Sequence, residues 1–170
     1  MDLAKMIRDV PDFPKEGIIF KDITTLIKDP EAFKEAVDIL ADHYTGQEVD
    51  LVVAVEARGY IFGAPIAYKL GAGFIPVRKA GKLPAEKVRE EYELEYGTDS
   101  VEMHTDAIVP GQKILIVDDL IATGGSAAAT VRLVERLGGE VLGIAFLIEL
   151  AFLKGVEKLK GYDVFTVFEY

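Results

Sequence analysis

An α/β fold with a mainly parallel, twisted sheet flanked by helices is predicted for this chain. Three observations predict it. Short β-rich apolar runs alternate with amphipathic helical segments, four of the five runs are almost wholly apolar as strands buried on both faces must be, and no repeat, low-complexity tract or linker interrupts the rhythm. At 170 residues, 50% hydrophobic and 28% charged, the chain is long enough to bury a core as a single domain over 1–170.

The elements follow in order. Residues 10–29, "VPDFPKEGIIFKDITTLIKD", hold two prolines and apolar residues without a clear period, so no element is predicted there. A helix is predicted from Pro30 to Tyr44, then a strand, "LVVAVEA" (51–57), a helix from Tyr60 to Leu70 and a strand, "GFIPVRK" (73–79). Residues 80–100, "AGKLPAEKVREEYELEYGTDS", form a long charged connection, and a connection of that length is usually a functional flap or a mobile loop. The strand "KILIVDD" (113–119) leads to a helix from Ser126 to Leu137 that Gly138-Gly139 ends. Two further strands, "EVLGIAFLIEL" (140–150) and "DVFTVFEY" (163–170), complete the sheet.

Composition narrows the function. The formal net charge of −10 argues against a nucleic-acid surface and against an anionic membrane. With no cysteine there is no disulfide, no thiolate nucleophile and no Cys-ligated metal. The opening "MDLAKMIRDV" lacks the apolar run of a signal peptide, and the longest apolar stretch, "VLGIAFLIEL", is short and reaches Glu149. A soluble, cytoplasmic protein is expected.

The stretch "ILIVDDLIATGGSAAATV" (114–131) carries the chemistry. A strand that enters a glycine turn and then a helix presents free backbone N–H groups and the positive end of the helix dipole, which suits an anion. Asp118 and Asp119 would repel a bare phosphate, so the ligand must also offer sugar hydroxyls or a divalent metal. A phosphorylated ribose offers both. The stretch has no lysine at the spacing of a P-loop and no G-x-G-x-x-G, which excludes a Walker site and a dinucleotide fingerprint. A second anion site is predicted at "AVEARGYIFGAPIAYKLG" (54–71), where Arg58 stands between strand and helix with a guanidinium able to grip a pyrophosphate bidentately. "VRKAGKLP" (77–84) adds Arg78, Lys79 and Lys82, a basic cluster on an acidic chain. His43 and His104 lack partners at metal spacing, and Asp22 with Thr24 reads as a turn cap.

The segment from the apolar run through the acidic pair to "TGGS" resembles the phosphoribosyl pyrophosphate (PRPP) motif of the type I phosphoribosyltransferases. Together with "ARGYIFG", "VRKAGKLP", "LEYGTDSVEMH" and "GIIFKDIT", the set is similar to the adenine-using branch of that family, in order from about residue 9 to residue 155. The resemblance implies the type I phosphoribosyltransferase fold, with an N-terminal base-binding hood (1–29) and a flexible loop (80–100). It implies purine salvage, the transfer of a 5-phosphoribosyl group from PRPP to adenine giving AMP and pyrophosphate, with Mg²⁺ bound mainly through PRPP or pyrophosphate.

Roles follow from the same resemblance. Asp118 and Asp119 would face the ribose hydroxyls, while Ala122, Thr123, Gly124, Gly125 and Ser126 wrap the 5′-phosphate. Ile19 would read adenine through its main chain, Phe20 would stack on it, and Leu120 and Leu150 would line the opposite wall. Glu95 would assist proton transfer at the purine, Arg58 would bind the departing pyrophosphate, Lys79 would be a further substrate-binding residue, and Arg78 would reach the pyrophosphate of a neighbouring copy in a homodimer. A non-proline cis peptide is implied at Glu56-Ala57, with Arg58 facing the cleft. Two alternatives remain open at this point: a phosphoribosyltransferase for another base, such as xanthine or hypoxanthine, and a non-catalytic PRPP-sensing regulator. A regulator would want a DNA-binding segment or a basic face, and the sequence offers neither.

Overall fold

The computed structural model describes residues 1–94 and 96–170, and the chain divides into two units, Met1–Ile39 and Leu40–Tyr170. In the first, strands β1 (Arg8–Pro11) and β2 (Ile19–Asp22) pair antiparallel, Arg8 opposite Asp22 and Pro11 opposite Ile19. The connection between them is turn chemistry: a cis Phe13-Pro14 peptide, a left-handed Gly17, and an Asp12 carboxylate that accepts the Gly17 N–H at 2.9 Å. The apolar residues without period in 10–29 are therefore a hairpin, with Phe13 edge-on to Phe20 at 5.2 Å. A single-turn helix α1 (Thr24–Ile27) follows, and Asp22 accepts the Thr24 N–H and hydroxyl, as the turn-cap reading expects. Helix α2 (Pro30–Asp42) begins with proline at its first position, and the Asp29 carboxylate caps it by accepting the N–H groups of Glu31 and Ala32.

The second unit holds a seven-stranded sheet in the order β5-β6-β4-β3-β7-β8-β9. The five predicted strands are all present as β3 (Leu51–Val55), β4 (Gly73–Lys79), β7 (Lys113–Ile121), β8 (Glu140–Glu149) and β9 (Val164–Glu169), and they pair parallel with one another. Helices α3 (Arg58–Leu70) and α4 (Gly125–Arg136) are the crossovers after β3 and β7. The charged 80–100 connection contains a feature that apolar periodicity does not reveal, an antiparallel hairpin of β5 (Lys87–Glu93) and β6 (Thr98–His104) added to the edge at β4. Along β5 burial alternates strictly, but one inward position is Glu90, whose partners are Arg132 and Arg136 of α4. The strand period is thus carried by a charged residue.

One apolar cluster joins the sheet to α4, with Ile116, Phe146, Val131 and Leu133 among its fully or nearly buried members. A register shift between Ile114 and Leu115 against β8 brings Gly143 beside Tyr44, where a Cβ would stand 2.8 Å from the ring. His43 stacks on Phe165 at 3.8 Å, a packing role that fits its lack of partners at metal spacing. No helix among the described residues is long and apolar enough to cross a membrane.

Topology places the site. β3 and β7 are neighbours, yet the crossover from β3 leads to β4 on one side while that from β7 leads to β8 on the other. Their C-terminal ends therefore flank a topological switch point, the crevice where open α/β sheets bind ligands.

Candidate active site

A cleft of about 480 Å³ opens at that switch point, lined by the ends of β3 and β7, the loop after β7 and the first residues of α4. From β3 come Val55 and Glu56, and then Arg58 at the start of α3. The Glu56-Ala57 peptide is cis, as the resemblance implies, and Arg58 faces the cleft with its Nε 3.1 Å from Asp119 Oδ2. Gly59 is the residue that lets α3 begin so close to β7, because a Cβ there would lie 2.9 Å from Asp118 Oδ1.

β7 runs two residues beyond the predicted strand, through Leu120 and Ile121, so both aspartates lie within it, as predicted, and not at its end. Asp119 is 3% exposed and donates its N–H to Asp118 Oδ1 at 2.8 Å. Burial, and then the charge of Asp119 beside it, push the Asp118 carboxyl well above the ordinary carboxylate range. Beyond Ile121 the chain turns through Ala122, Thr123 and a left-handed Gly124 into α4, whose N-terminus has no side-chain cap. Its first-turn N–H groups open toward the cleft, an anion site made of backbone.

Basic groups gather on the opposite wall around one carboxylate. Glu56 accepts the Lys79 N–H at 2.7 Å and Arg78 Nε at 3.3 Å on one oxygen, and Lys82 Nζ at 3.2 Å on the other. Burial raises the Glu56 carboxyl, but the Lys79 N–H and the Lys82 and Arg78 side chains outweigh it and hold the group below its usual value. Lys79 extends into the cleft, where its Nζ meets Asp99 at 2.7 Å and the Tyr92 hydroxyl. Burial lowers this ammonium, and the Asp99 and Tyr92 hydrogen bonds more than restore it. Tyr92 in turn lies against the loop after β7, since a Cβ on Gly125 would stand 2.9 Å from its ring.

Of the residues singled out from sequence, Arg58, Lys79, Asp118, Asp119, Leu120 and the whole run Ala122 to Ser126 line this one cleft. Arg78 does not line it and lies behind Glu56, and Leu150 is half-buried at the end of β8, its N–H donated to Ile121 O at 3.0 Å. Ile19, 57% exposed, and the half-buried Phe20 stand on β2 of the first unit. Glu95 lies outside the described residues. Sequence reasoning missed Glu56, Tyr92 and Asp99 as parts of the site. Tyr92 and Asp99 are masked by the glutamates around them, whereas Glu56 could have been suspected as the one charge at the end of an apolar strand. Among the described residues no group of three or more Asp, Glu or His side chains is arranged to hold a metal ion.

An acidic pair, an uncapped helix N-terminus and an arginine converging at an α/β switch point define a protein that binds a phosphorylated sugar. The family described as the phosphoribosyl transferase domain matches residues 23–168. A curated relative named adenine phosphoribosyltransferase, from Alkaliphilus metalliredigens, is 61% identical over the full length of both chains. The solved adenine phosphoribosyltransferase of Thermoanaerobacter pseudethanolicus superposes with a TM-score of 0.97 at 56% identity, covering 99% of this chain and 98% of that one. That of Saccharomyces cerevisiae, complexed with D-2,5-dideoxy-2,5-imino-altritol 1,6-bisphosphate and adenine, gives 0.92 at 44% identity over 98% and 96%. The chain belongs to the phosphoribosyltransferase family, in its adenine phosphoribosyltransferase branch.

Proposed function

We propose that this chain is a purine-salvage enzyme that transfers the 5-phosphoribosyl group of PRPP to adenine, releasing AMP and pyrophosphate. The observation that carries the reading is the single cleft in which Asp118, Asp119 and the uncapped start of α4 face Arg58 and Lys79. The loop Ala122 to Ser126 takes the 5′-phosphate on backbone N–H groups and hydroxyls, and the two carboxylates take the ribose hydroxyls. Bond cleavage at the anomeric carbon develops positive charge on the ribose, which Asp118 and Asp119 stabilise, and negative charge on the departing pyrophosphate, which Arg58 and Lys79 stabilise. Arg58 pairs with Asp119. PRPP replaces that pair by giving each partner its own ligand.

Mg²⁺ enters with PRPP as part of the substrate, as the family motifs imply. There it neutralises the diphosphate. Base recognition by Ile19 and Phe20, the far wall at Leu120 and Leu150, and proton transfer by Glu95 remain with this reading on the strength of the family motifs. A homodimer belongs to it as well, supported by Tyr68 of α3 at 90% exposure and by Arg78 lying outside its own chain's cleft.

Incubation with PRPP, Mg²⁺ and each base in turn, followed by chromatography of the nucleotides, tests the proposal. AMP should form with adenine and the oxopurines should react at least ~100-fold more slowly, as expected when a buried donor and acceptor are mismatched. Equal rates with hypoxanthine would overturn the base assignment.

A further inference from the structure

The loop after β7 has a backing that its own motif does not include. Gly124 and Gly155 meet backbone to backbone: a Cβ on Gly124 would stand 2.4 Å from Gly155 O, and a Cβ on Gly155 would stand 2.4 Å from Ala122 O and 3.0 Å from Gly124 N. On its other side the loop meets Tyr92, 2.9 Å from where a Gly125 Cβ would lie. Consecutive glycines thus face two different walls. The Gly155 wall is itself anchored at both ends. Upstream, the Leu150 N–H is donated to Ile121 O at 3.0 Å and the Ala151 N–H to Tyr170 O at 2.9 Å. Downstream, the short turn Gly155–Leu159 ends in Leu159, 1% exposed within the main apolar cluster.

We infer that Gly155 is a positioning residue for the 5′-phosphate loop: its missing side chain lets residues Ala122 to Gly125 close to the curvature at which their N–H groups converge on one phosphate. The inference rests on the proposed reading that this loop holds a phosphate. Gly155 lies outside the left-handed region that Lys154, at φ 55°, occupies just before it. Alanine therefore fits the Gly155 backbone, and Gly155→Ala changes only the contact with the loop. The displaced loop carries its donors away from the phosphate, and misplacements of an ångström or less cost binding steeply.

Calorimetric titration of the full chain with AMP and with adenosine isolates the effect, because the two ligands differ only in the phosphate. Gly155→Ala should weaken AMP at least ~10-fold and leave adenosine within ~2-fold, and in turnover it should raise KM for PRPP by a similar factor with kcat little changed. A preference for AMP retained undiminished by Gly155→Ala overturns the inference alone, as does an equal loss of both ligands. Equal affinity of the unsubstituted protein for AMP and adenosine overturns the phosphate reading and the inference with it. Should Gly155→Ala fail to fold, Val156→Ala trims the side chain that packs this turn against the main apolar cluster and so loosens the Gly155 wall while adding no atoms. Its loss should again be confined to AMP, and no loss, or an equal loss of both ligands, counts against the inference.

Discussion

At Asp118 binding and stability pull in opposite directions. Its carboxyl is held well above the ordinary range by burial and by Asp119, so at neutral pH its ionised form costs folding free energy. A group whose pKa is raised on folding loses stability as pH rises from its unfolded value, 3.8, through its folded one. Asp118→Asn should therefore raise the thermal midpoint at pH 7, with the gain shrinking as the pH falls toward 4, while turnover drops. An unchanged or lower midpoint at pH 7 would mean that Asp118 is not under this strain. Replacing both Asp118 and Asp119 by asparagine should cost roughly 10²-fold or more in kcat with the fold intact by circular dichroism, since the proposed reaction sets both carboxylates against developing positive charge. Near-normal turnover would leave the pair a purely structural role. Ser126→Ala removes one hydroxyl from the loop and should raise KM for PRPP roughly fivefold, the worth of about 1 kcal/mol for one hydrogen bond. Asp22 shows the opposite pH behaviour to Asp118. The Thr24 N–H and hydroxyl, then Arg8, lower its carboxyl to about 2, so its contribution is present at neutral pH and fades on acidification toward that value.

Among the elements, the parallel strands and their helices were legible because burial on both faces leaves almost uninterrupted apolar runs, as in "KILIVDD" and "EVLGIAFLIEL". The helix at α3 starts two residues earlier than Tyr60, at Arg58, because the strand passes directly into it through Glu56 and Ala57. The hairpin β5–β6 was not legible. Its inward Glu90 pairs with Arg132 and Arg136, partners that sequence spacing cannot announce. The same hairpin carries Tyr92 to the loop and to Lys79, so part of the site was hidden with it. Tyr92→Phe keeps the ring against Gly125 and removes the hydroxyl from Lys79 and Asp99. It should leave KM for PRPP within a few-fold, whereas Tyr92→Ala, which opens the space over the loop, should raise it roughly tenfold. Equal effects of the two variants would assign the role to the hydroxyl instead of the ring.

For the whole molecule, the acidic balance of −10 makes the basic cluster of Arg58, Arg78, Lys79 and Lys82 the informative exception. Three of the four converge on Glu56, which gathers Arg78, Lys82 and the Lys79 backbone at the edge of the cleft. Arg78 is 37% exposed at its side chain and does not line the cleft of its own chain, so it is available to a second copy. α3 buries Phe62, Gly63, Ile66 and Ala67 yet leaves Tyr68 at 90% exposure, more apolar surface than one core uses. A homodimer that covers α3 accounts for both observations. Sedimentation at working concentration should therefore give about twice the chain mass, and Tyr68→Glu should shift the population toward monomer and lower activity in step. Mixing with an excess of a dimer-competent but inactive Asp118→Asn, Asp119→Asn chain should then change the activity of an Arg78→Ala variant, because heterodimers would return an intact Arg78 to the active cleft. A monomer of full activity, or an Arg78→Ala defect that no partner chain relieves, would confine Arg78 to holding Glu56 within its own chain.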